Sequence, residues 1–402
     1  MVEKTKVSKM GGRQIPLHRD PKVRAVAFQA AAVLFFVWSL WTIGSNTVAN
    51  MEQRGIVLGL SWLDKLAPFQ VGFSPFLDNV LGENTYWRIF FIGVQNTIYV
   101  SVFGIIAATL LGFVIGVMRL SPNWLVAKIA SAYVEIFRNI PLLLWFFFWY
   151  FIVFLPILPG VRESISFADA VFINKSGLYL PRPVTENIGA AVVFLLICTA
   201  TIAGVVYLTR WAGKRQDRTG EQFPVLPTSL AILILVPIAG FYASDSPYSL
   251  EYAQLGAFQL SGGINLTTEF FVVWFALTTY TAAFIGENVR GGILAVSHGQ
   301  TEAARSLGLH HGQNIKLVII PQAMRVIIPP TISQYLNLTK NSTLAIAIAY
   351  EEIASIWMGI SLNTTGQALI IIAMTVGVFW TLSFLTSALL NWYNKRVQLT
   401  ER

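Results

Sequence analysis

Charge is what this chain has least of. Asp, Glu, Lys and Arg make up 12% of its 402 residues, about half of the roughly 25% usual in soluble domains, which excludes a large water-facing surface. Cysteine is almost missing. Cys198 is the single thiol and lies inside an apolar stretch, so a disulfide framework and a multi-cysteine metal site are both excluded. The four histidines, His18, His298, His310 and His311, show no metal-ligand spacing. His310 and His311 are adjacent, point to different sides of a helix, and read as a polar loop pair. No Gly-x-x-x-x-Gly-Lys-Ser/Thr stretch is present, which excludes a phosphate-cradling loop for ATP hydrolysis. The clustered His, Cys or paired carboxylates that a membrane-embedded enzyme would need are not evident either.

What the chain has instead is apolar residues, 55% of the total, gathered in blocks of about 20, the length a helix needs to cross a bilayer core. Eight segments are predicted, near residues 25–46, 89–117, 139–158, 187–209, 228–244, 268–288, 327–357 and 367–391. The expected fold class is an all-α integral membrane protein of about eight transmembrane helices. The first segment, with a long basic leader and an apolar core of about 22 residues, exceeds the roughly 7–15 of a signal peptide and reads as an uncleaved anchor.

The formal charge of +8 follows from topology and not from nucleic-acid binding. With the N-terminus in the cytoplasm, twenty Lys and Arg fall inside, among them Lys4, Lys6, Lys9, Arg13, Arg19, Lys22 and Arg24 of the leading tail. Six fall outside: Arg54, Lys65, Arg88, Arg162, Lys175 and Arg182. That split sets both termini on the cytoplasmic side of the membrane. Trp38, Trp41, Trp149, Tyr150, Trp392 and Tyr393 read as interfacial belts.

Polar groups inside the segments mark candidate sites. Lys340 in the seventh segment should not face lipid, since an intramembrane lysine costs about 2.5–3.5 kcal/mol on insertion scales. Gln334, Asn337, Asn341 and Ser342 complete a polar band around it. Pro329 and Pro330 remove two backbone donors near its start, so a broken or partly unwound helix lining a translocation path is expected. The Lys340 ammonium either attracts a substrate carboxylate or pairs structurally with Glu351 or helix-end carbonyls. Glu135 and Arg138, three apart on a helix, and Glu287 with Arg290 read as ion pairs with a gate or structural role. Gly112-x-x-x-Gly116 permits close helix approach.

One loop, between the sixth and seventh segments, carries a motif. Glu302-Ala303-Ala304-Arg305-Ser306-Leu307-Gly308 is followed by Val318-Ile319-Ile320-Pro321. Ala303 and Ala304 favour a slim helix, and Gly308 suits a helix-ending turn at positive φ. Upstream stands Tyr280-Thr281-Ala282-Ala283-Phe284-Ile285-Gly286-Glu287-Asn288-Val289-Arg290-Gly291-Gly292-Ile293. Downstream come Pro321-Gln322-Ala323-Met324-Arg325, Pro329-Pro330 and Leu338-Thr339-Lys340-Asn341-Ser342. Nearer the N-terminus are Asn96-Thr97 and Glu135-Ile136-Phe137-Arg138-Asn139-Ile140-Pro141.

Together these resemble the permeases of ABC importers of the polar amino-acid type, whose EAA loop docks into an ATPase subunit; Val318 and Ile320 stand where the motif usually has Ile and Leu. The resemblance covers residues 88–158 and 266–395, a permease core of five helices. Residues 159–265 are an insert with two further segments. Residues 1–24 are a basic tail, 25–46 an extra helix, 47–87 a periplasmic loop and 396–402 a cytoplasmic tail. This length resembles the larger permease of general L-amino-acid and glutamate/glutamine/aspartate/asparagine transporters.

The resemblance implies ATPase coupling through Glu302, Ala303, Ala304, Gly308 and Pro321. It implies a heterodimer with a second permease, two ATPase subunits that hold ATP and Mg, a periplasmic binding protein and an amino-acid cargo, with no cofactor on this chain. An ion-coupled transporter acting alone is the competing expectation. It calls for inverted repeats, which the sequence does not show.

Overall fold

The computed structural model describes residues 21–53, 59–75, 77, 79–185, 187–256 and 260–397. Most of the basic leading tail lies outside the described residues, as do Arg54 and the last residues, 398–402. The chain divides into two compact units, residues 1–64 and 65–402.

In the first unit α1 (Pro21–Gln53) is one apolar helix of 33 residues. It runs past the predicted end at 46, and Trp38 and Trp41 sit near its middle.

The second unit begins its helices with α2 (Tyr86–Met118), where the Thr85 hydroxyl accepts the Arg88 N–H at 3.3 Å and so satisfies an orphan donor of the first turn. α3 (Trp124–Asn139) starts the same way, on the Asn123 side chain. Pro141 then disfavours the helical region for the residue before it. Ile140 is accordingly extended, at φ −102° and ψ 129°, and α4 (Leu142–Ile157) leaves at 106° to α3. The single segment expected at 139–158 is therefore the second arm of a bent pair.

α5 (Ile188–Thr219) and α6 (Val225–Ala243) form a hairpin whose extensive packing is on itself. α7 (Thr268–Leu294) is the hub. Two-thirds of its apolar window is buried, against α2 above all, then α3 and α9. The short α8 (His298–Ser306) leads through His311–Asn314 and a π turn, Ile315–Ile319, into α9 (Ile320–Asn341). A 3-10 stretch (Ser342–Ile348), a π turn (Ala354–Ser361) and α10 (Ala368–Val397) complete the chain.

Among the described residues seven helices are long and apolar enough to cross a membrane, and the bent pair makes eight if it counts as one span. That agrees with the expected architecture.

Two expectations change. The helix does not break at Pro329 and Pro330: α9 runs through both, and regularity is lost further on, from Ser342. The insert is not only helical. β1 (Ile165–Phe167), β2 (Val171–Asn174), β3 (Gly177–Leu180) and β8 (Ile264–Leu266) form one antiparallel sheet in that order. β4 (Arg182–Val184) pairs with β5 (Ser249–Glu251), and β6 (Gln254–Leu255) with β7 (Leu260–Ser261). The Asn174 side chain accepts the Ser176 N–H at 2.7 Å and Gly177 takes φ +133°, which closes the β2–β3 turn.

The core packs Val100 and Ala108 of α2 against Val272, Val273, Ala276, Leu277 and Ile285 of α7, with Phe146 of α4 beside them. Trp149 and Tyr150 pack, half-buried, against this core. The Trp149 ring meets Phe275 edge-on at 4.7 Å, and the Tyr150 hydroxyl donates to Glu269 at 2.6 Å. Close approach of α2 to α7 depends on Gly112 and Gly116. A Cβ at the first would lie 2.7 Å from Ile285, and at the second 2.7 Å from the Gly286 carbonyl.

Candidate functional site

The motif loop folds into α8, one short helix at the end of the bundle where α2 and α7 finish and α9 starts. Its last turn closes on Gly308, which sits at φ +79°. The Gly308 N–H donates to the Arg305 carbonyl at 2.9 Å and the Leu309 N–H to the Ala304 carbonyl at 3.1 Å, the paired bonds of a left-handed helix cap. Ala304 is buried. Ala303 and Glu302 are exposed, and the Glu302 carboxylate lies 3.5 Å from His298 Nδ1. Leu307, which the motif reading passed over, is the most exposed apolar side chain there, at 82%. Ala303, Ser306 and Leu307 share a face by their spacing, so α8 presents a slim, partly apolar ridge. Pro321 stands in the first turn of α9, directly after the π turn Ile315–Ile319 that runs into it without a break. The side chains of Gln322 and Gln300 join α9 to α8 at 3.1 Å.

Just inside this end lies a charged cluster. Glu287 accepts from Arg290 at 2.6 Å, as the spacing suggested, and also from Arg119 at the end of α2. The second arginine was missed because it is 168 residues away in the chain. Among the described residues Glu135 and Arg138 make no ion pair. Both are exposed, and the Arg138 guanidinium lies 5.2 Å from the centroid of the Phe284 ring, a cation–π contact that draws it off its own helix.

α9 carries the polar band. Ser333, Asn337 and Lys340 are exposed, three or four residues apart on one face, with Gln334 and Asn341 half-buried beside them. Ser342 is buried and donates to the Thr339 carbonyl at 2.8 Å. On the opposite face Tyr335 and Thr109 of α2 share a hydrogen bond of 2.8 Å. Among the described residues no carboxylate pairs with Lys340. Glu351 instead accepts the backbone N–H groups of Gly72 and Phe73. A row of hydroxyl, amide and ammonium thus stands uncovered along a helix of membrane-crossing length. Ser333 extends the predicted set, and its four-residue step to Asn337, followed by three to Lys340, was the signal that could have found it.

Among known proteins, residues 101–399 match the family model described as binding-protein-dependent transport system inner membrane component. The general L-amino acid transport system permease protein AapQ of Rhizobium johnstonii is 42% identical over 95% of this chain and 94% of its own length. The putative amino-acid ABC transporter permease protein YhdX of Escherichia coli is 43% identical over 95% and 96%. The glutamate/glutamine/aspartate/asparagine transport system permease protein BztB of Rhodobacter capsulatus is 38% identical over 98% of each.

Proposed function

The chain belongs to the family of binding-protein-dependent transport system inner membrane components, and from that membership we propose how its parts divide the work of import. It is a multi-pass permease component of an amino-acid ABC importer. α9 lines the path for polar L-amino acids, and α8 receives the motion that opens it. One observation carries this reading: the Ser333–Asn337–Lys340 face is polar, lies on a helix of membrane-crossing length and is uncovered among the described residues. Such a face is stable against water or a second protein surface and not against lipid. A second, related permease laid along α9 would enclose the path, and Lys340 would hold the substrate carboxylate within it.

The ridge of Ala303, Ser306 and Leu307 fits a groove on an ATPase subunit, with Gly308 setting its exit angle and Pro321 starting the helix it drives. ATP and Mg belong to those ATPase subunits, two per complex, and a periplasmic binding protein delivers the cargo. With α8 on the cytoplasmic side of the bacterial inner membrane, both termini are cytoplasmic and the insert sheet lies on the opposite side.

The complex rebuilt in proteoliposomes is expected to take up amino acid only with ATP, and Leu307→Asp to abolish uptake by placing a charge on the docking ridge. Undiminished uptake by this chain without any ATPase subunit would establish the ion-coupled alternative instead.

A further inference from the structure

Three stretches of chain meet at the end of the bundle away from α8: the loop before α2, the first turns of α2, and the residues that follow α9. The Glu351 carboxylate accepts the backbone N–H of Gly72 and, at 3.0 Å, that of Phe73. Asn96 on α2 donates to the carbonyls of Phe73 at 2.7 Å and Glu351 at 2.8 Å. Tyr350 donates to the Asn96 carbonyl at 2.9 Å, and the Ile353 N–H to the Thr97 hydroxyl at 3.1 Å. Phe73 is buried, its ring stacked on Phe270 at 5.1 Å.

The fit leaves little room. A Cβ on Gly72 would lie 3.1 Å from the Glu351 carboxylate, and one on Gly93 would lie 3.0 Å from Ile353 Cα. Two features single out Glu351. It has no cationic partner among the described residues, so its charge is spent on two backbone donors, and hydrogen bonds to an ionised acceptor are the strong ones. It also follows Ala349, a non-glycine residue at φ +60°, a conformation that surrounding structure must hold in place.

We propose that Glu351 is a positioning residue for transport: by gripping Gly72 and Phe73 it makes the outer loop move with the end of α9. The chain from Pro321 to Ile348 runs from the α8 ridge through the polar face as one helix and its 3-10 extension, and the left-handed Ala349 then turns it into this grip. A displacement applied at α8 therefore arrives at residues 349–353, and Glu351 hands it to the loop at the outer mouth. The proposal rests on the importer reading above.

The test uses the whole complex in lipid nanodiscs, with hydrogen exchange read on peptides spanning Gly72 and Phe73 before and after trapping with ATP and vanadate. In the wild type these amides are expected to change protection between the two states. Glu351→Ala should raise their exchange about tenfold, the loss of one strong hydrogen bond, and erase the difference between states. Glu351→Gln, whose side-chain oxygen accepts the same two donors, should restore the difference. A Glu351→Ala loop that responds like the wild type overturns the proposal, as does a Glu351→Gln loop no more responsive than the alanine variant. If the alanine variant fails to assemble, Gly72→Ala presses on the same carboxylate and is expected to weaken the response; a full response there overturns the proposal too. ATP-driven uptake in the wild type with an unresponsive loop removes this inference alone, whereas absence of uptake removes the importer reading beneath it.

Discussion

Adding a single methyl at Gly116 tests the packing that the whole permease core depends on. A Cβ there would lie 2.6 Å from Val289 Cβ and 2.7 Å from the Gly286 carbonyl oxygen. Ordinary carbon contacts are about 3.5–4.0 Å, so α2 and α7 would have to separate by the better part of an ångström. The carbonyl is backbone and cannot swing aside. Reciprocal crowding between Gly286 and the Gly112 carbonyl, 3.3 Å for a Cβ there, removes the option of sliding along the helix.

Overpacking of this kind costs about 1–3 kcal/mol, set against about 0.5–1 kcal/mol gained by replacing a mid-helix glycine with alanine. The net expectation for Gly116→Ala is a loss, from near zero to about 2.5 kcal/mol. Gly204 on α5 is the control, since nothing lies within 4 Å of a Cβ there; it should show only the gain. Thermal unfolding of the purified complex in one detergent should rank Gly204→Ala at or above the wild type, Gly116→Ala below it, and the Gly112→Ala, Gly116→Ala double variant lowest. A Gly116→Ala protein that melts above the wild type refutes the close-crossing argument.

Gly308 sits at φ +79° in open space, so substitution there is a question of backbone alone. Gly308→Asn should keep most ATP-driven uptake because asparagine tolerates the left-handed region, whereas Gly308→Val, which pays about 1–2 kcal/mol there, should lose it; equal activity of the two would show that the turn does not matter. Lys340→Met is expected to raise the amino-acid concentration for half-maximal uptake while assembly stays normal, and unchanged uptake would end the carboxylate assignment. Glu287→Ala leaves Arg119, 14% exposed, with the Ser131 hydroxyl at 3.4 Å but without its carboxylate, and should cost about 1.5–3 kcal/mol. Glu287→Ala with Arg119→Met should recover part of that in the same melting assay, and a double variant no better than the single argues against the pairing.

The spans were legible because a bilayer writes itself into sequence as uninterrupted apolar length, and α8 was legible because its glycine is needed by backbone geometry. What escaped was mostly non-local. Leu178 pairs with Leu266 and Leu180 with Ile264, with two membrane-length helices between them, and strands of three or four residues give no periodicity to read. The local half of that sheet was more accessible, since Asn174-Lys175-Ser176-Gly177 is a turn signal between two β-rich runs. The Arg119 contact with Glu287 is non-local in the same way.

Lys340 and Glu351 were weighed as partners because they lie close in sequence. The 3-10 stretch and the left-handed Ala349 send the glutamate elsewhere. Pro329 and Pro330 failed to break α9 because only the carbonyls of Arg325 and Val326 lose donors there. Both prolines are exposed, so neither ring has to fit against a packed neighbour.

The pairing of β3 with β8 also bears on how such a chain came to be this long. Leu180 and Ile264 are facing partners in the ladder, so the polypeptide leaves the sheet and returns to it at neighbouring points. Everything from residue 181 to residue 263, the α5–α6 hairpin included, hangs from a closed neck. A loop tied off in this way can lengthen, shrink or be exchanged without altering the register of α7 on α2. The importer machinery can therefore stay fixed while this tied-off portion diverges from one relative to the next.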